Sequence, residues 1–309
     1  MKIAMMGSGG VGGFFGGRLA NAGYDVSFIA RGSHLAAMRE RGLTIENEPQ
    51  GDIHLPNVRV TDDPATLGLV DIVILSVKLW DTEAAAKQVR PLVGPGTGVL
   101  SLQNGVVKDD ILRREFGDAA VMGGVGYVAT TISTPGVIHQ TGTMQRIVLG
   151  EYDGRKSARA TFLHEALVRA GVNAELSGDV RRAIWEKYVF LVGLSATTTA
   201  MRMPIGPIRE NPQTRAFLLE LMREAVAVGR AHGVALPEDY AGSRLAFADG
   251  LPADMTSSMH HDLERGSPLE VNWLSGGVVQ LGQAKGVPTP ANRVVCDILA
   301  LYSPGRKPA

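Results

Sequence analysis

Cysteine is almost absent from this sequence. Cys296 is the one cysteine among 309 residues, which excludes an internal disulfide and a cysteine-rich metal site. No apolar run reaches the roughly 18 residues that a membrane-spanning helix needs. Basic and acidic residues number 31 each, so no basic excess indicates nucleic acid. The first residues lack the charged and apolar regions of a secretory signal. We therefore expect a cytoplasmic protein with neither a nucleic-acid nor a membrane partner.

Hydrophobic residues make up 45% of the chain, and their spacing predicts two domains. In residues 1–178, short apolar segments alternate with helical ones, which is typical of a doubly wound α/β sheet. The predicted strands are 2–6, 25–30, 42–45, 57–60, 71–77, 98–102, 120–124 and 173–176, with a polar excursion at 47–56 and short antiparallel strands at 127–132, 136–140 and 146–149. The segment 179–309 is predicted to be all-helical. The predicted helices there are 179–193, 212–232, 237–248, 268–285 and 290–301, whose apolar stripes favour a homodimer.

A glycine-rich turn directly follows the first predicted strand and precedes a helix of small residues at 13–22. Its residues are Gly7, Ser8, Gly9, Gly10, Val11 and Gly12. Strand, G-x-G-x-x-G and helix together are the dinucleotide-binding fingerprint, in which pyrophosphate meets free N–H groups at the start of the helix. A glycine-rich turn without a ligand is the alternative interpretation.

The end of the second predicted strand indicates which nucleotide binds. An NAD site usually has Asp or Glu there, but this chain has Arg31. Because an arginine can pair with a 2′-phosphate, we predict NADP(H). Ser33 is predicted to cap the helix that follows, as far as Arg41. Lys78 and Asn104 each follow a buried strand, where ligands of such sheets bind.

Two stretches of the helical half contain candidates for acid–base chemistry. Lys187 lies in an otherwise apolar segment, and residues 187, 191 and 195 share one helix face. Ser267 and Glu270 have the spacing of a helix-capping box, which would explain Glu270 without catalysis. His260 and His261 are adjacent and point to different faces, so we interpret them as surface or hydrogen-bonded residues and predict no metal site.

These motifs, taken together, resemble those of the ketopantoate reductase family (2-dehydropantoate 2-reductases, enzymes of pantothenate biosynthesis). The matching segments occur in the same order and at similar spacing nearly from end to end. They are the glycine turn, Lys78, Gln103-Asn104-Gly105, Trp185-Glu186-Lys187 and Ser257-Ser258-Met259 with Asp262 and Glu270. The resemblance implies an NADPH-dependent enzyme. It implies a Rossmann domain, a helical C-terminal domain like that of 6-phosphogluconate dehydrogenases, and an active site in the cleft between them.

The resemblance also implies roles for individual residues. Lys187 corresponds to the lysine that supplies the proton to the keto oxygen, and Glu270 to the glutamate that positions this lysine and contacts the ligands. Ser258 corresponds to a substrate-binding serine, and Asn104 to an asparagine near the nicotinamide and the substrate. Lys78 and Arg31 correspond to cofactor contacts.

The chain departs from the family in the wall that binds the substrate. Leu191 and Ser195 stand where the family has asparagines that bind ketopantoate. Asn272 replaces a usual Asp, and Ser275 a usual Asn. A site that loses partners for a substrate hydroxyl should bind that substrate less well.

We therefore expect an NADPH-dependent reductase of a small 2-oxo acid, with 2-dehydropantoate as the leading substrate. One alternative is a reductase of a different, less polar 2-oxo acid or ketone. A second is a non-catalytic NADP(H) sensor, which would need the glycine turn but neither Lys187 nor Glu270. A third is a dehydrogenase that runs in the oxidative direction.

Overall fold

The computed structural model describes residues 1–46 and 51–305. Residues 47–50 of the predicted polar excursion lie outside this description. The chain divides into two compact units within one long helix, between Ala183 and Ile184. The short segment Asn104–Val107 belongs to the second unit, although the residues on both sides of it belong to the first. The domain limits 1–178 and 179–309 stay a prediction.

The first unit is built on one large sheet. Its strands are β1 (Lys2–Met6), β2 (Asp25–Ile29), β3 (Leu43–Glu46), β4 (Ile53–Leu55), β5 (Arg59–Thr61), β6 (Ile72–Leu75), β7 (Gly98–Ser101), β8 (Val121–Thr134), β9 (Val137–Gly150) and β10 (Asn173–Leu176). They lie in the order β4-β3-β9-β8-β7-β6-β1-β2-β5, and β10 pairs with β9. The run from β5 to β8 is parallel and has the strand order of a dinucleotide-binding fold, which reverses between β1 and β6.

The centre of this sheet matches the sequence prediction. All four residues of β6 and all four of β7 are buried. A strand covered on both faces reads as a continuous apolar run, which is why these strands could be located from sequence.

The antiparallel part differs from the prediction. The segments expected as separate short strands form one hairpin of two 14-residue strands, β8 and β9. Gly142 has φ of +70° inside β9. Register shifts near Val128 and Ile132 interrupt the pairing of β8 with β9 without ending the strands. The antiparallel direction is confirmed.

Helices cover the sheet of the first unit and build the second. The helices are α1 (Gly10–Asn21), α2 (Gly32–Arg41), α3 (Thr82–Val89), α4 (Lys108–Phe116), α5 (Ala158–Arg169), α6 (Val180–Met201), α7 (Ile205–Glu210), α8 (Pro212–Ala231), α9 (Tyr240–Asp249), α10 (Ser258–Glu264), α11 (Ser275–Lys285) and α12 (Pro290–Leu299). Within residues 1–46 and 51–305, no helix is both long and apolar enough to cross a bilayer.

Two helix boundaries correct the sequence prediction. Arg31, not Ser33, is the N-cap of α2, and Ser33 lies in its first turn. The helix α6 does not end at Gly193 but continues to Met201. Gly193 packs against α8, since a Cβ there would lie 2.7 Å from Met222 Cγ. This glycine therefore permits close helix packing and is not a helix terminus.

Candidate functional site

The glycine turn has the geometry that a dinucleotide requires. Gly7 has φ of +91°, a conformation that side chains disfavour. A Cβ on Gly12 would collide with the carbonyl oxygen of Gly7, whereas a Cβ on Gly9 would have nothing within 4 Å. The N-cap of α1 is Gly9, which makes no side-chain cap. The first N–H groups of α1 thus have no side-chain cap, and they fit the phosphates of a dinucleotide.

A histidine that the sequence interpretation missed supports this turn. His34 Nε2 donates a hydrogen bond to the Ser8 carbonyl oxygen at 2.8 Å. His34 Nδ1 accepts one from the Gly136 backbone N–H at 3.0 Å. These two bonds require the neutral ring with its proton on Nε2. Burial lowers the pKa of His34, and the bond to Ser8 opposes this shift in part. The Ser8 hydroxyl donates to the Ile29 carbonyl oxygen at 3.1 Å and is itself buried.

Arg31 lies at the end of β2, as predicted, but it has an acidic partner. Its Nη2 is 2.9 Å from Asp81 Oδ2, while its side chain is 86% exposed. Lys78 follows β6, and its Nζ lies 5.7 Å from the centroid of the Trp80 ring. Cationic side chains therefore stand at the carboxyl ends of β2 and β6, on either side of the glycine turn after β1.

Two of the predicted site residues are in direct contact. Lys187 Nζ donates a hydrogen bond to Asn104 Oδ1 at 2.9 Å. Lys187 is half-buried on α6, and Asn104 belongs to the segment that the second unit includes. The two motifs, 83 residues apart in the chain, thus meet in one unit.

The next turns of α6 carry Leu191 and Ser195. Leu191 is half-buried and packs against the apolar core of the second unit. Ser195 is 1% exposed, and within the described part of the chain its Oγ has no hydrogen-bond partner. The spacing places Lys187, Leu191 and Ser195 on one face of the helix, as predicted from the sequence.

The second predicted stretch folds differently from the expectation. Ser267 caps no helix, and Glu270 begins a short 3-10 turn (Glu270–Asn272) whose N-cap is Leu269. The capping-box interpretation of Glu270 is therefore wrong. Glu270 is 5% exposed. A carboxyl group is seldom so deeply buried unless it is paired.

The two serines of the Ser-Ser-Met segment have different structural roles. Ser257 is the N-cap of α10, and its Oγ lies 2.9 Å from Thr198 Oγ1. Ser258 is the exposed first residue of that helix. His260 Nδ1 donates to the Thr198 carbonyl oxygen at 2.7 Å, and His261 Nε2 lies 2.9 Å from Thr256 Oγ1. Both histidines are therefore hydrogen-bonded, in agreement with their sequence interpretation.

Sequence reasoning also missed a buried lysine near the segment of Asn104. Lys108 is 1% exposed, and its Nζ donates to the carbonyl oxygens of Ser101 at 3.0 Å and Gly124 at 3.2 Å. The same Nζ lies 3.1 Å from both carboxylate oxygens of Asp109. Burial lowers the pKa of Lys108, and Asp109 opposes this shift. Lys108 thereby joins β7 to β8 just after the Asn104 segment. Because Lys108 is followed by two aspartates at the start of a helix, nothing in the sequence indicates that it is buried.

Comparisons with known proteins point to one family. The family model described as ketopantoate reductase PanE/ApbA matches residues 3–154, and the model of its C-terminal part matches residues 179–303. A 2-dehydropantoate 2-reductase of Mesorhizobium japonicum is 32% identical over 312 residues, which cover 94% of each chain. The uncharacterized oxidoreductase YkpB of Bacillus subtilis is 30% identical, over 98% of this chain and 99% of its own.

Solved structures show the same architecture. A ketopantoate reductase of the PanE/ApbA family from Ralstonia eutropha JMP134 is 35% identical, covers 98% of each chain and has a TM-score of 0.89. D-mandelate dehydrogenase with NADH and anilino(oxo)acetate also has a TM-score of 0.89, but at 21% identity it shows a likeness of fold alone. The predicted fold class, a Rossmann-type sheet followed by helices, is confirmed. The chain belongs to the ketopantoate reductase family and is an NAD(P)(H)-dependent oxidoreductase that acts on a CH–OH/C=O group.

Proposed function

We propose that this enzyme reduces a small 2-oxo acid with NADPH, that Lys187 donates the proton, and that 2-dehydropantoate is the leading substrate. The observation that carries the proposal is the 2.9 Å hydrogen bond from Lys187 Nζ to Asn104 Oδ1. It joins the two motifs to which the family resemblance assigns the reaction. Relatives named 2-dehydropantoate 2-reductase support the choice of substrate.

Lys187 provides the charge that carbonyl reduction needs. When bound, the nicotinamide dinucleotide supplies the hydride. Negative charge then develops on the substrate oxygen, where an ammonium group stabilises it and donates a proton. Asn104 accepts one of the three N–H bonds of this ammonium and so limits its orientations. Glu270, a buried carboxyl group on the same unit, is proposed to position the lysine and to contact the ligands.

The cofactor half of the site favours a phosphorylated dinucleotide. The glycine turn, Gly7 to Gly12, would hold the pyrophosphate at the uncapped start of α1. Arg31 would pair with the 2′-phosphate, and Lys78 would add a second positive charge. We therefore propose NADP(H) as the preferred cofactor.

The substrate wall supports one alternative. Ser258 and Ser195 are proposed to contact the acid, but Leu191 offers no hydrogen bond to a substrate hydroxyl. A 2-oxo acid with an apolar side chain would suit this wall better. The discriminating measurement follows NADPH oxidation with 2-dehydropantoate and with 3,3-dimethyl-2-oxobutanoate, which lacks only the hydroxyl. Faster turnover of the second acid would favour the alternative, and NADPH binding without turnover of any acid would favour a sensor.

Removal of the proposed proton donor should slow the chemical step. We expect Lys187→Ala to lower kcat by about 10²- to 10⁴-fold, which is the usual contribution of general acid catalysis. The dissociation constant of NADPH, measured by fluorescence titration, should stay within about twofold of the wild-type value.

The exposed lysine Lys285, on α11 of the same unit, offers a matched control. Lys285→Ala should leave both quantities unchanged. If Lys187→Ala turns substrate over at the wild-type rate, lysine has no part in the mechanism.

The homodimer expected from the sequence stays a prediction. Val294 and Ile298 lie one turn apart on α12 and are 47% and 53% exposed. We propose this face for the contact with a second copy.

A further inference from the structure

An acidic side chain pairs with Arg31, the residue proposed to bind the 2′-phosphate. Asp81 follows β6 and Arg31 follows β2, and β1 lies between these strands in the sheet. The 2.9 Å ion pair of Arg31 with Asp81 therefore crosses the edge of the sheet where the glycine turn leaves β1. A nucleotide at that turn would approach this pair, because dinucleotides bind at the strand-order reversal of such sheets.

The fold does not need the Asp81 carboxylate. Asp81 stands at the N-cap position of α3, but its side chain makes no capping hydrogen bond. The side chain of its partner Arg31 is 86% exposed, and that of Asp81 is 29% exposed. An exposed ion pair contributes about 0–1 kcal/mol to stability. The pair is thus weak enough for a ligand to break and strong enough to reduce the affinity of that ligand.

We propose that Asp81 competes with the 2′-phosphate for Arg31 and so limits the preference of this enzyme for NADPH over NADH. The inference rests on the proposed cofactor use. Arg31 must leave the Asp81 carboxylate, at least in part, before its guanidinium can bind a phosphate in bidentate fashion. The adenosine ribose of NADH carries no 2′-phosphate, so its binding does not require Arg31 to leave the Asp81 carboxylate. Asp81 therefore reduces selectivity without reducing the affinity for NADH.

Two fragments of the cofactor isolate the effect. Isothermal titration calorimetry of the full chain with adenosine 2′,5′-bisphosphate and with 5′-AMP measures two dissociation constants, whose ratio reports the 2′-phosphate alone. We expect Asp81→Asn to raise the selectivity for the bisphosphate about twofold to fivefold. This bound follows because competition cannot cost more than the exposed ion pair that it breaks. Asp81→Ala should give the same direction.

The chain offers a matched control on the same helix. Arg39, two turns after Arg31, pairs with Asp62 at 2.9 Å, and both side chains are more than half exposed. Asp62→Asn removes the same charge and should leave the ratio unchanged. In an Arg31→Ala background, Asp81→Asn should also leave the ratio unchanged, because the guanidinium for which Asp81 and the phosphate compete is absent.

The outcomes separate this inference from the proposed function. If the wild-type chain binds neither fragment, the proposed cofactor use fails and the inference fails with it. If both bind but Asp81→Asn leaves the ratio unchanged or lowers it, the inference alone is overturned. A gain that persists without Arg31 would also overturn it, because Asp81 would then act on the phosphate directly.

Discussion

Leu191 is the residue at which the proposed substrate site differs most clearly from one built for a hydroxylated acid. It lies one turn after Lys187 on α6, and its side chain can neither donate nor accept a hydrogen bond. The neighbouring polar group, the Ser195 hydroxyl, is buried and has no partner within the described residues. A substrate hydroxyl would therefore find one candidate partner on this face instead of two.

An amide at this position should restore recognition of the hydroxyl. We expect Leu191→Asn to raise kcat/KM for 2-dehydropantoate relative to 3,3-dimethyl-2-oxobutanoate by about twofold to tenfold, the value of one hydrogen bond. Steady-state NADPH oxidation with both acids measures this ratio, and the dehydroxylated acid is the internal control. A ratio equal to that of the wild type would mean that Leu191 does not face the substrate side chain.

At the residue scale, the sequence could suggest which charged side chains belong to the site but not which residues they pair with. Lys187 stands out as a charged residue in an apolar helix. Arg31 stands out as a basic residue at a position where NAD sites have an acidic one. Asp81 could not be found, because its pairing with Arg31 depends on how the segments after β2 and β6 converge. His34 likewise contacts the Ser8 carbonyl oxygen through the packing of α2, which local spacing does not encode.

Two glycines of the dinucleotide-binding motif, one just before α1 and one in its first turn, offer a test at the scale of the element. Gly12→Ala should destabilise the chain and abolish nucleotide binding, since its Cβ would collide with the Gly7 carbonyl oxygen. Gly9→Ala should keep the thermal midpoint, because its Cβ meets no atom within 4 Å, yet it should weaken NADPH binding where the phosphates approach.

Thermal unfolding followed by circular dichroism, together with NADPH titration, distinguishes the two variants. The expectation for Gly12 fails if Gly12→Ala melts with the wild type. The expectation for Gly9 fails if Gly9→Ala binds NADPH with wild-type affinity.

Elements were predictable where burial alone decides them. Strands β6 and β7 are buried throughout and were located within a few residues. Errors arose at glycine and proline residues whose role depends on the tertiary structure and not on the local sequence. Gly193 serves the packing of α6 on α8 and not a helix end, and Ser267-Pro268 precedes a 3-10 turn and not a long helix.

For the whole molecule, His34 links stability to pH. Because burial lowers its pKa in the folded state, the unfolded chain binds more protons as pH falls below about 6.5. The contribution of the neutral ring to stability is thus complete above that pH and is lost below it. We expect the free energy of unfolding to fall as the pH drops below about 6.5.

Urea unfolding at several pH values measures this dependence. His34→Gln should reduce the slope in that window, whereas His54→Gln, which changes an exposed histidine, should leave it unchanged. An equal slope in the wild type and in His34→Gln would assign the dependence to other groups. Burial raises the pKa of Glu151, but hydrogen bonds from Arg159 and Ser157 and the charges of nearby arginines together lower it by more, so Glu151 titrates at lower pH and does not interfere.

The segment Asn104–Val107 has a consequence for recombination within this family. It is encoded in the first half of the gene, but its contacts are with the second unit, where Asn104 receives the hydrogen bond from Lys187. A chimera with a single crossover near residue 183 would combine the lysine of one parent with the asparagine of the other. Grafting the complete proposed reaction centre from a relative therefore takes two exchanged pieces, the four-residue loop and everything from Ile184 onward.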